Sequence, residues 1–542
     1  MAETTTKEKA EKASGFLGTV EKIGNKLPDP FWLFVILAMI VAITSWIGHL
    51  IGMSAKDPKT GDIIAVESLL TTENISRMVT DAVVNFTSFP PLGVILAVML
   101  GVAVAEQSGL LSALVRSMVT KVSPKFLTFI VALAGVTGSV ASDAIYVILI
   151  PLGAMAFHSV GRSPIVGAMV AFAASSAGFN ASLILSITDL LLAGISTSAA
   201  QFVDDAYQVS PLANIFFVVP SAIMLALIIT AVTEWFMVKK ARVLVNHEKI
   251  NYEEVSFSQA AGAAGNEADE EPNENEVDFE EEKHALRVKP EEQKGLAVAG
   301  ITLLIFLAGF FALLFIPSSP LASQEDSFME SPLISAIAVP IALAFMVCGI
   351  VYGICAGTLT SASDVPDFMA KGIQNLVPML VLFFAVAQFL AWFQWSNLGV
   401  WTAIKGSDLL QAWSLPPILM FAALVAMVAA LNLFITSGSA QWALMAPVIV
   451  PMMMYVGISP EVSQMLFRIG DSPTNIITPM SPSFALALTF LQRYYKPAGV
   501  GTLMSLALPY SIAMIVGWFG FFILWYLLGI PLGPGAPMHY PG

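Results

Sequence analysis

The residues of this chain that could do chemistry lie at 468–479, RIGDSPTNIITP, where Arg468 and Asp471 interrupt an otherwise apolar stretch. An ionisable side chain at the middle of a bilayer costs about 2.5–3.5 kcal/mol on insertion scales, so each needs a partner or a polar cavity. The i, i+3 spacing lets both face one side of a helix. Two interpretations follow: an ion pair that only fastens the helix, or an arginine that binds a substrate carboxylate bidentately.

The residues after Asp471 indicate a cation site. Pro473 lacks an N–H and its ring clashes with the preceding turn, so the helix should open here. The freed carbonyl oxygens, with the side-chain oxygens of Ser472, Thr474 and Asn475, would then surround the Asp471 carboxylate. Hard oxygen ligands with one negative charge suit a small cation. The sequence therefore predicts a sodium ion at Asp471, with a proton on Asp471 as the alternative.

A second interruption, TSGSAQ at 436–441, should provide the facing wall of this site. It places Gly438 and Ser439 at a turn inside an apolar block, with Asn432 shortly before them. Trp442 follows at a depth where the usual interfacial role of a membrane tryptophan does not apply. Stacking of Trp442 on an aromatic substrate is the alternative.

The first half of the chain carries a similar but uncharged cluster. Thr137, Gly138 and Ser139 form a polar turn, and Asn180 follows Gly178, which replaces the proline as the residue that opens the helix. Together, Thr137, Gly138, Ser139 and Asn180 are predicted to form a second, neutral cation site.

Composition places these interruptions inside a membrane. Of 542 residues, 56% are hydrophobic and 12% are charged, and the mean hydropathy is +0.78. Apolar runs of about 20 residues recur throughout, which is typical of an all-α polytopic membrane protein embedded in the lipid bilayer. The net charge of −14 comes largely from an acidic loop at 247–293, so it does not indicate a nucleic-acid partner.

Nine spans are predicted, and two further apolar blocks, 124–158 and 412–458, are broken midway by Gly/Ser turns. Arg and Lys placement puts the N-terminus in the cytoplasm. Full crossings by the two broken blocks would preserve the same parity, so it is the polar Gly/Ser turn halfway along each block that favours two re-entrant helical hairpins. The predicted spans are 31–52, 91–112, 164–195, 210–238, 295–316, 332–354, 372–397, 461–492 and 500–528. The predicted units are an N-terminal cytoplasmic segment 1–30, a first transmembrane half 31–240, an acidic cytoplasmic loop 241–294, a second transmembrane half 295–530 and a C-terminal tail 531–542.

The two broken blocks match each other at an offset of 300 residues. GSVASDAIYVILIP at 138–151 aligns with GSAQWALMAPVIVP at 438–451, and Asn180 aligns with Asn475 further on. The charge argument gives the two copies opposite orientation. Broken segments in two inverted repeats indicate a secondary transporter with a site near the midplane and alternating access.

The motif TSGSAQWALMAPVIVPMM, followed by SPEVSQMLFRIGDSPTNIITPMSP, resembles the signature of the AbgT family of p-aminobenzoyl-glutamate transporters, as does SSAGFNASLILSITDLLLAGIS in the first half. The resemblance implies a homodimer in the bacterial inner membrane, with nine spans and two hairpins per protomer. It assigns sodium ligands to Asn432, Asp471 and Asn475. It assigns substrate contacts to Asp189, Ser439, Trp442, Pro460, Arg468, Asp471 and Pro479.

Four functions compete at this stage. One of them, a channel, is disfavoured because inverted hairpin repeats favour alternating access around a fixed site. The first is a cation-coupled carrier of p-aminobenzoyl-glutamate or a related aromatic carboxylate. The second is a proton-driven exporter of p-aminobenzoate-like metabolites and sulfonamide drugs, in which Asp189 or Asp471 cycles a proton. The third, an intramembrane enzyme, is disfavoured because the chain has no HExxH, and IGD at 469–471 is not the GxGD of aspartyl membrane proteases. No organic cofactor is expected.

Overall fold

The computed structural model describes residues 28–540, except for 59, 121–122, 139–143, 246–248, 251–287, 317 and 324–330. The predicted segment 1–30 and the acidic loop 241–294 therefore lie largely outside the described residues. Within the described part, the chain is helical except for its loops and one antiparallel hairpin, β1 (Ser54–Lys56) and β2 (Ile63–Ala65), in which Ser54 pairs with Ala65. This hairpin is the one departure from the all-helical prediction in the described ranges.

The helices of the first half are α1 (Pro30–Leu50), α2 (Thr72–Thr80), α3 (Ala82–Thr87), α4 (Pro90–Gln107), α5 (Leu110–Thr120), α6 (Leu127–Gly138), α7 (Ala144–Ser159), α8 (Pro164–Ala177), α9 (Ile187–Ala200), α10 (Ile215–Val232) and α11 (Val238–Leu244). A π-helical turn, Thr233–Met237, joins α10 to α11.

The helices of the second half are α12 (Pro290–Phe315), α13 (Pro332–Ser335), α14 (Ala338–Ala356), α15 (Asp364–Trp395), α16 (Leu398–Ala412), α17 (Pro417–Asn432), α18 (Gly438–Tyr455), α19 (Pro460–Asp471), α20 (Pro482–Tyr494) and α21 (Val500–Leu527). A 3₁₀ helix, Ser472–Ile477, follows α19.

Seven of these helical segments are long and apolar enough to cross a membrane: α1, α4, α10 with α11, α12, α14, α15 and α21. They coincide with seven of the nine predicted spans. The other two predicted spans, 164–195 and 461–492, are not continuous helices. The first is divided into α8 and α9, and the second into α19 and α20. The number of nine spans stays a prediction, and the two openings lie in the spans where the sequence predicts them, after Ala177 and after Asp471.

Local sequence explains where the two divided spans open. Helix α8 ends just before Gly178, and a Cβ at that position would lie 2.6 Å from both the Ala174 carbonyl oxygen and a methyl of Val136. Helix α19 ends at Asp471, where Pro473 forces the chain into the tighter 3₁₀ turn. Asn180 and Asp471, at the two openings, are buried in the protein, as irregular backbone at membrane depth must be.

The two broken blocks also take equivalent forms. Block 124–158 contains α6 and α7, and block 412–458 contains α17 and α18, separated by residues 433–437. In each half, the two helices of the block pack against the next helix, α8 or α19. The internal repeat predicted from sequence is thus visible as a repeated order of elements.

The two repeats exchange their last helices. Helix α9 of the first repeat packs against α18 and α19, and α20 of the second repeat packs against α7 and α8. Such a reciprocal exchange is expected of two copies related by a pseudo-two-fold axis. It brings the opening after α8 directly against the 3₁₀ turn after α19.

A peripheral group of helices flanks this core. Helix α4 packs against α14 and α15, while α1 packs against α15 and α12 against α14. Helix α12 has only 11% of its apolar window buried in the protein. Its apolar surface is therefore available to lipid or to another protein.

The predicted C-terminal tail packs back onto the chain through its described residues, 531–540. The carbonyl oxygen of Leu532 accepts from the backbone N–H groups of Phe216 and Phe217, at 2.9 and 3.2 Å. At its end, the Tyr540 N–H donates to Gly457 at 3.0 Å, and its hydroxyl donates to Asp204 at 3.2 Å. The tail thus ties the loop before α10 to the turn before α19.

Helices α7 and α8 approach so closely that only glycine fits between them. A Cβ at Gly167 would lie 2.2 Å from the carbonyl oxygen of Gly153. We expect Gly167→Ala to lower the free energy of unfolding by about 1–3 kcal/mol, because the methyl group must push the helices apart. The loss should appear as a lower melting temperature of the purified protein in detergent.

Gly300→Ala on α12 is the matched control, since a Cβ there has no atom within 4 Å. Alanine is a better helix former than glycine, so this variant should be neutral or slightly stabilised. Equal melting temperatures for the two variants would contradict the close-packing explanation.

Candidate substrate and ion site

The site is built on one face of α19. Glu461, Gln464, Arg468 and Asp471 follow one another at spacings of three, four and three residues, which places them along a single helical face. All four are buried, with exposed fractions of 2% or less. The polar face of this amphipathic helix therefore points into the protein.

Arg468 pairs with Asp189 from the first repeat. Its Nη1 donates to Asp189 Oδ1 at 2.5 Å, with side-chain exposures of 1% and 6%. Asp189 Oδ2 accepts from the backbone N–H and the hydroxyl of Ser186, at 2.7 and 2.9 Å, and so caps the start of α9. The bond between Arg468 and α9 is thus a buried, charge-assisted contact between the two repeats.

The interpretation of Arg468 and Asp471 as an ion pair with each other is wrong. Among the described residues, the ion pair of Arg468 is made with Asp189. Arg468 is one turn back from the helix end, and its long side chain extends to the neighbouring α9. Asp471 is the last helical residue, and its carboxylate faces Asn180 instead.

Asp471 is fully buried at the meeting point of the two openings. Its Oδ2 accepts from Asn180 Nδ2 at 2.9 Å. Its main-chain carbonyl, freed by the end of the helix, accepts from Asn432 Nδ2 at 2.7 Å and from Thr474 Oγ1 at 2.8 Å. The opening predicted at Pro473 therefore gives the expected result. The Asp471 carbonyl oxygen is released from the helical hydrogen-bond pattern and lies beside a buried carboxylate.

The turn of the second broken block contacts the same carboxylate. Helix α18 begins at Gly438, and a Cβ at that position would lie 2.9 Å from Asp471 Oδ2. Glycine is needed here because any side chain would occupy the space in front of the carboxylate. The start of α18 also carries the positive end of its helix dipole, which favours a negative charge nearby.

The three predicted sodium ligands lie together. Asn432 Nδ2 donates to the Asp471 carbonyl and, at 2.7 and 3.3 Å, to Thr474 Oγ1 and Asn475 Oδ1. Asn432, Asp471 and Asn475 are all buried. The structure thus gathers residues from the end of α17, the end of α19 and the 3₁₀ turn.

Several oxygen atoms of this cluster have no hydrogen-bond donor in the described part of the chain. Asp471 Oδ1, Asn432 Oδ1 and Asn180 Oδ1 are each buried and without a partner there. An unsatisfied buried acceptor costs about 1–3 kcal/mol, and more if charged. Hard oxygens that lack donors, one of them anionic, fit a small cation as their missing partner.

The residues predicted to form the second cation site do not form a comparable cluster in the described part of the chain. Asn180 joins the Asp471 cluster, while Thr137 is buried near the end of α6, where its hydroxyl has no partner among the residues that the structure describes. Gly138 ends α6, and Ser139 lies outside the described residues. A separate neutral site at Thr137, Gly138, Ser139 and Asn180 stays a prediction.

The predicted aromatic contact, Trp442, is fully buried on α18. Its ring lies 4.7 Å from that of Phe467, measured between centroids. Its Nε1 donates to Ser196 Oγ at 3.0 Å. Ser439, at the preceding turn, is half-buried and lies 3.4 Å from the Ser437 hydroxyl.

Gln464 and Ser196 link Trp442 to Arg468, and the sequence analysis missed both. With its amide oriented to satisfy its neighbours, Gln464 donates to Ser196 Oγ at 2.8 Å and accepts from Arg468 Nη2 at 3.3 Å. The spacing of Gln464 on the polar face of α19 was a usable signal for its position. Nothing in the sequence marked Ser196, which lies on α9.

The two predicted prolines shape the chain around the site. Pro460 is the buried first residue of α19, where a proline costs no helical hydrogen bond. Pro479 is half-buried in the short segment that separates the 3₁₀ turn from α20.

A buried polar centre formed where two interrupted helices meet, inside a largely apolar bundle of long helices, is typical of a multi-pass membrane transporter. Comparison with known proteins identifies the family of transporters. The model of the AbgT putative transporter family matches residues 15–259 and 269–540. The chain therefore belongs to the AbgT family.

Three relatives illustrate the similarity. The p-aminobenzoyl-glutamate transport protein of Escherichia coli (strain K12) is 36% identical over 521 residues, 96% of each chain. The YdaH transporter of Alcanivorax borkumensis, known from a crystal structure, is 37% identical with a TM-score of 0.81, covering 94% of this chain and 100% of that one. MtrF of Neisseria gonorrhoeae, described as illuminating a class of antimetabolite efflux pumps, is 39% identical with a TM-score of 0.84, covering 96% and 100%.

The Arg468–Asp189 pair should be strongly coupled. We expect Asp189→Ala to lower the free energy of unfolding by about 3–5 kcal/mol, because it leaves a buried guanidinium without its counter-ion. Asp189→Ala with Arg468→Ala should be more stable than the sum of the single losses predicts. Melting temperatures of the four proteins in detergent complete this double-mutant cycle, and purely additive losses would contradict a coupled pair.

Proposed function

We propose that this protein is a cation-coupled secondary transporter that moves p-aminobenzoyl-glutamate or a related aromatic carboxylate across the bacterial inner membrane by alternating access. The observation that carries the proposal is the cluster of buried oxygens without donors around Asp471. The p-aminobenzoyl-glutamate transport protein of E. coli supports the class of substrate.

Sodium is the proposed coupling ion, with H⁺ as the alternative. Among the described residues, the Arg468 guanidinium is paired with Asp189, while Asp471 accepts from the neutral amide of Asn180, so the negative charge of Asp471 is not balanced in this centre. A monovalent cation at Asp471 balances that charge. Asn432 and Asn475 would add neutral oxygens, which suits an ion that must bind and also leave.

The Arg468 guanidinium is the proposed partner of the substrate carboxylate. Its Nε is buried and has no acceptor among the described residues, while its Nη1 contacts Asp189. A substrate carboxylate would take the unused donors and compete with Asp189. Trp442 and Ser439 lie on the adjoining α18, where Trp442 would contact an aromatic ring after a change in packing.

The proposal includes the topology inferred from the sequence. The protein would cross the membrane with nine spans, the interrupted α8–α9 and α19–α20 among them, with the N-terminus in the cytoplasm. Blocks α6–α7 and α17–α18 would be re-entrant hairpins, and the turn between α17 and α18 would lie at the site. The exposed apolar surface of α12 is compatible with lipid contact, and the family resemblance supports a homodimer.

A second candidate is a proton-driven exporter of p-aminobenzoate-like metabolites and sulfonamide drugs. The similarity to MtrF, described among antimetabolite efflux pumps, supports it. In that case Asp189 or Asp471 would bind and release the driving proton.

Flux in proteoliposomes separates the two candidates. We expect uptake of labelled p-aminobenzoyl-glutamate to rise with an imposed sodium gradient at equal pH on both sides. A pH gradient at equal sodium should have little effect. Flux that follows only the pH gradient would favour the exporter and overturn sodium coupling.

Asp471→Asn should abolish sodium-stimulated flux, because it removes the charge that the cation neutralises while keeping nearly the same shape. Asp408→Asn is the matched control, since Asp408 is exposed and pairs with Lys405 on the surface. Sodium dependence retained in Asp471→Asn would contradict the ion site.

Arg468→Lys should raise the substrate concentration for half-maximal flux by about tenfold or more, because an ammonium cannot bind a carboxylate bidentately. Sodium binding without substrate should change little. Arg77→Lys, in an exposed pair with Asp81 on α2, is the control. An unchanged half-saturating concentration in Arg468→Lys would remove Arg468 from the substrate site.

A further inference from the structure

Asn180 connects the ion cluster to the arginine. It lies just after the end of α8 and makes three polar contacts with residues 468–472 of the other repeat. Its backbone N–H donates to Ser472 Oγ at 3.2 Å, and its side-chain Nδ2 donates to Asp471 Oδ2 at 2.9 Å. Its carbonyl oxygen accepts from Arg468 Nη1 at 3.4 Å. One residue thus touches both charged groups of the proposed site.

The side-chain amide of Asn180 is satisfied on one side only by the residues that the structure describes. Its Nδ2 faces the Asp471 carboxylate, whereas its Oδ1 is buried with no donor from those residues. The NH₂ group presents partial positive charge to the carboxylate, in the place where a cation would bind. Turning the amide over would put two oxygens against each other unless a cation lay between them. The amide orientation therefore depends on whether a cation is present.

The backbone at Asn180 can transmit such a change. Gly178 ends α8, and the chain is not helical again until Ile187 begins α9. Asn180 lies in this connecting segment, where no helical ladder holds its carbonyl. A shift of Asn180 toward a cation at Asp471 would alter the contact between that carbonyl and Arg468.

We propose that Asn180 is a further ligand of the coupling cation at Asp471, and that it links occupancy of the ion site to the state of Arg468. Without the cation, its NH₂ group satisfies Asp471; with the cation, its Oδ1 joins the ligand oxygens. This inference rests on the proposed cation-coupled function. It replaces a separate site in the first repeat with one site shared by both repeats.

Binding measurements on the full-length protein in detergent test the linkage. The affinity for p-aminobenzoyl-glutamate is measured by calorimetry in sodium chloride and in choline chloride, and sodium binding is measured without substrate. We expect Asn180→Ala to weaken sodium binding by about tenfold or more, as for loss of a hydrogen-bonding group to a charge. Sodium should then no longer raise substrate affinity, while substrate affinity in choline chloride stays within about twofold of wild type, because the backbone carbonyl is retained.

Two further variants keep the test decisive. Asn180→Ser retains a polar atom, but its side chain is too short to reach Asp471, so it should lose the linkage even if Asn180→Ala fails to fold. Asn85→Ala is the matched control, because Asn85 makes one side-chain hydrogen bond, to Gln388 at 3.0 Å, between α3 and α15. It should keep the sodium effect in full.

The outcomes distinguish this inference from the proposed function. If wild-type affinity for p-aminobenzoyl-glutamate does not respond to sodium, the cation-coupled function fails and this inference fails with it. If wild type responds and a folded Asn180 variant responds equally, only the role of Asn180 is overturned. A lower melting temperature with unchanged linkage would show that Asn180 merely fastens the two repeats.

Discussion

The contact between two interrupted helices at the centre of the bundle is the constraint on which the architecture depends. Asn180, after the end of α8, donates to Asp471 at the end of α19, and both are almost completely buried. Helices that end inside an apolar bundle leave carbonyl and N–H groups that lipid cannot satisfy. Each opening therefore needs the other for polar partners, which explains why the last helix of each repeat packs on the opposite half.

The same arrangement sets the electrostatics of the centre. Helix α19 turns its polar face inward, so Arg468 and Asp471 cannot be solvated by bulk water and must find partners from other elements. Asp189 satisfies the arginine and caps α9 at once. Among the described residues, the carboxylate of Asp471 accepts a hydrogen bond from the neutral amide of Asn180, and its Oδ1 has no donor. A stable ion pair and an incompletely satisfied acid are thus held side by side.

Much of the fold could be predicted from the sequence because its signals are local. Seven spans follow from apolar length, and the opening at Pro473 follows from proline chemistry. The partners across the openings are harder to predict from the sequence. Arg468 and Asp189 are 279 residues apart, whereas the i, i+3 spacing of Arg468 and Asp471 indicates that these two can face the same side of the helix. Asn180 was assigned to a separate site because each repeat was considered alone. Only the exchange of α9 and α20 between the repeats brings Asn180 to Asp471.

The tail that crosses the loop before α10 and the turn before α19 has a consequence for biogenesis. Residues 531–540 are synthesised after every element that they tie together. While the ribosome is still making α21, no tail residue yet connects the loop before α10 to the turn before α19, although α10 and α19 themselves are already complete. The contacts of the tail with this loop and this turn therefore form only after all the predicted spans have been synthesised.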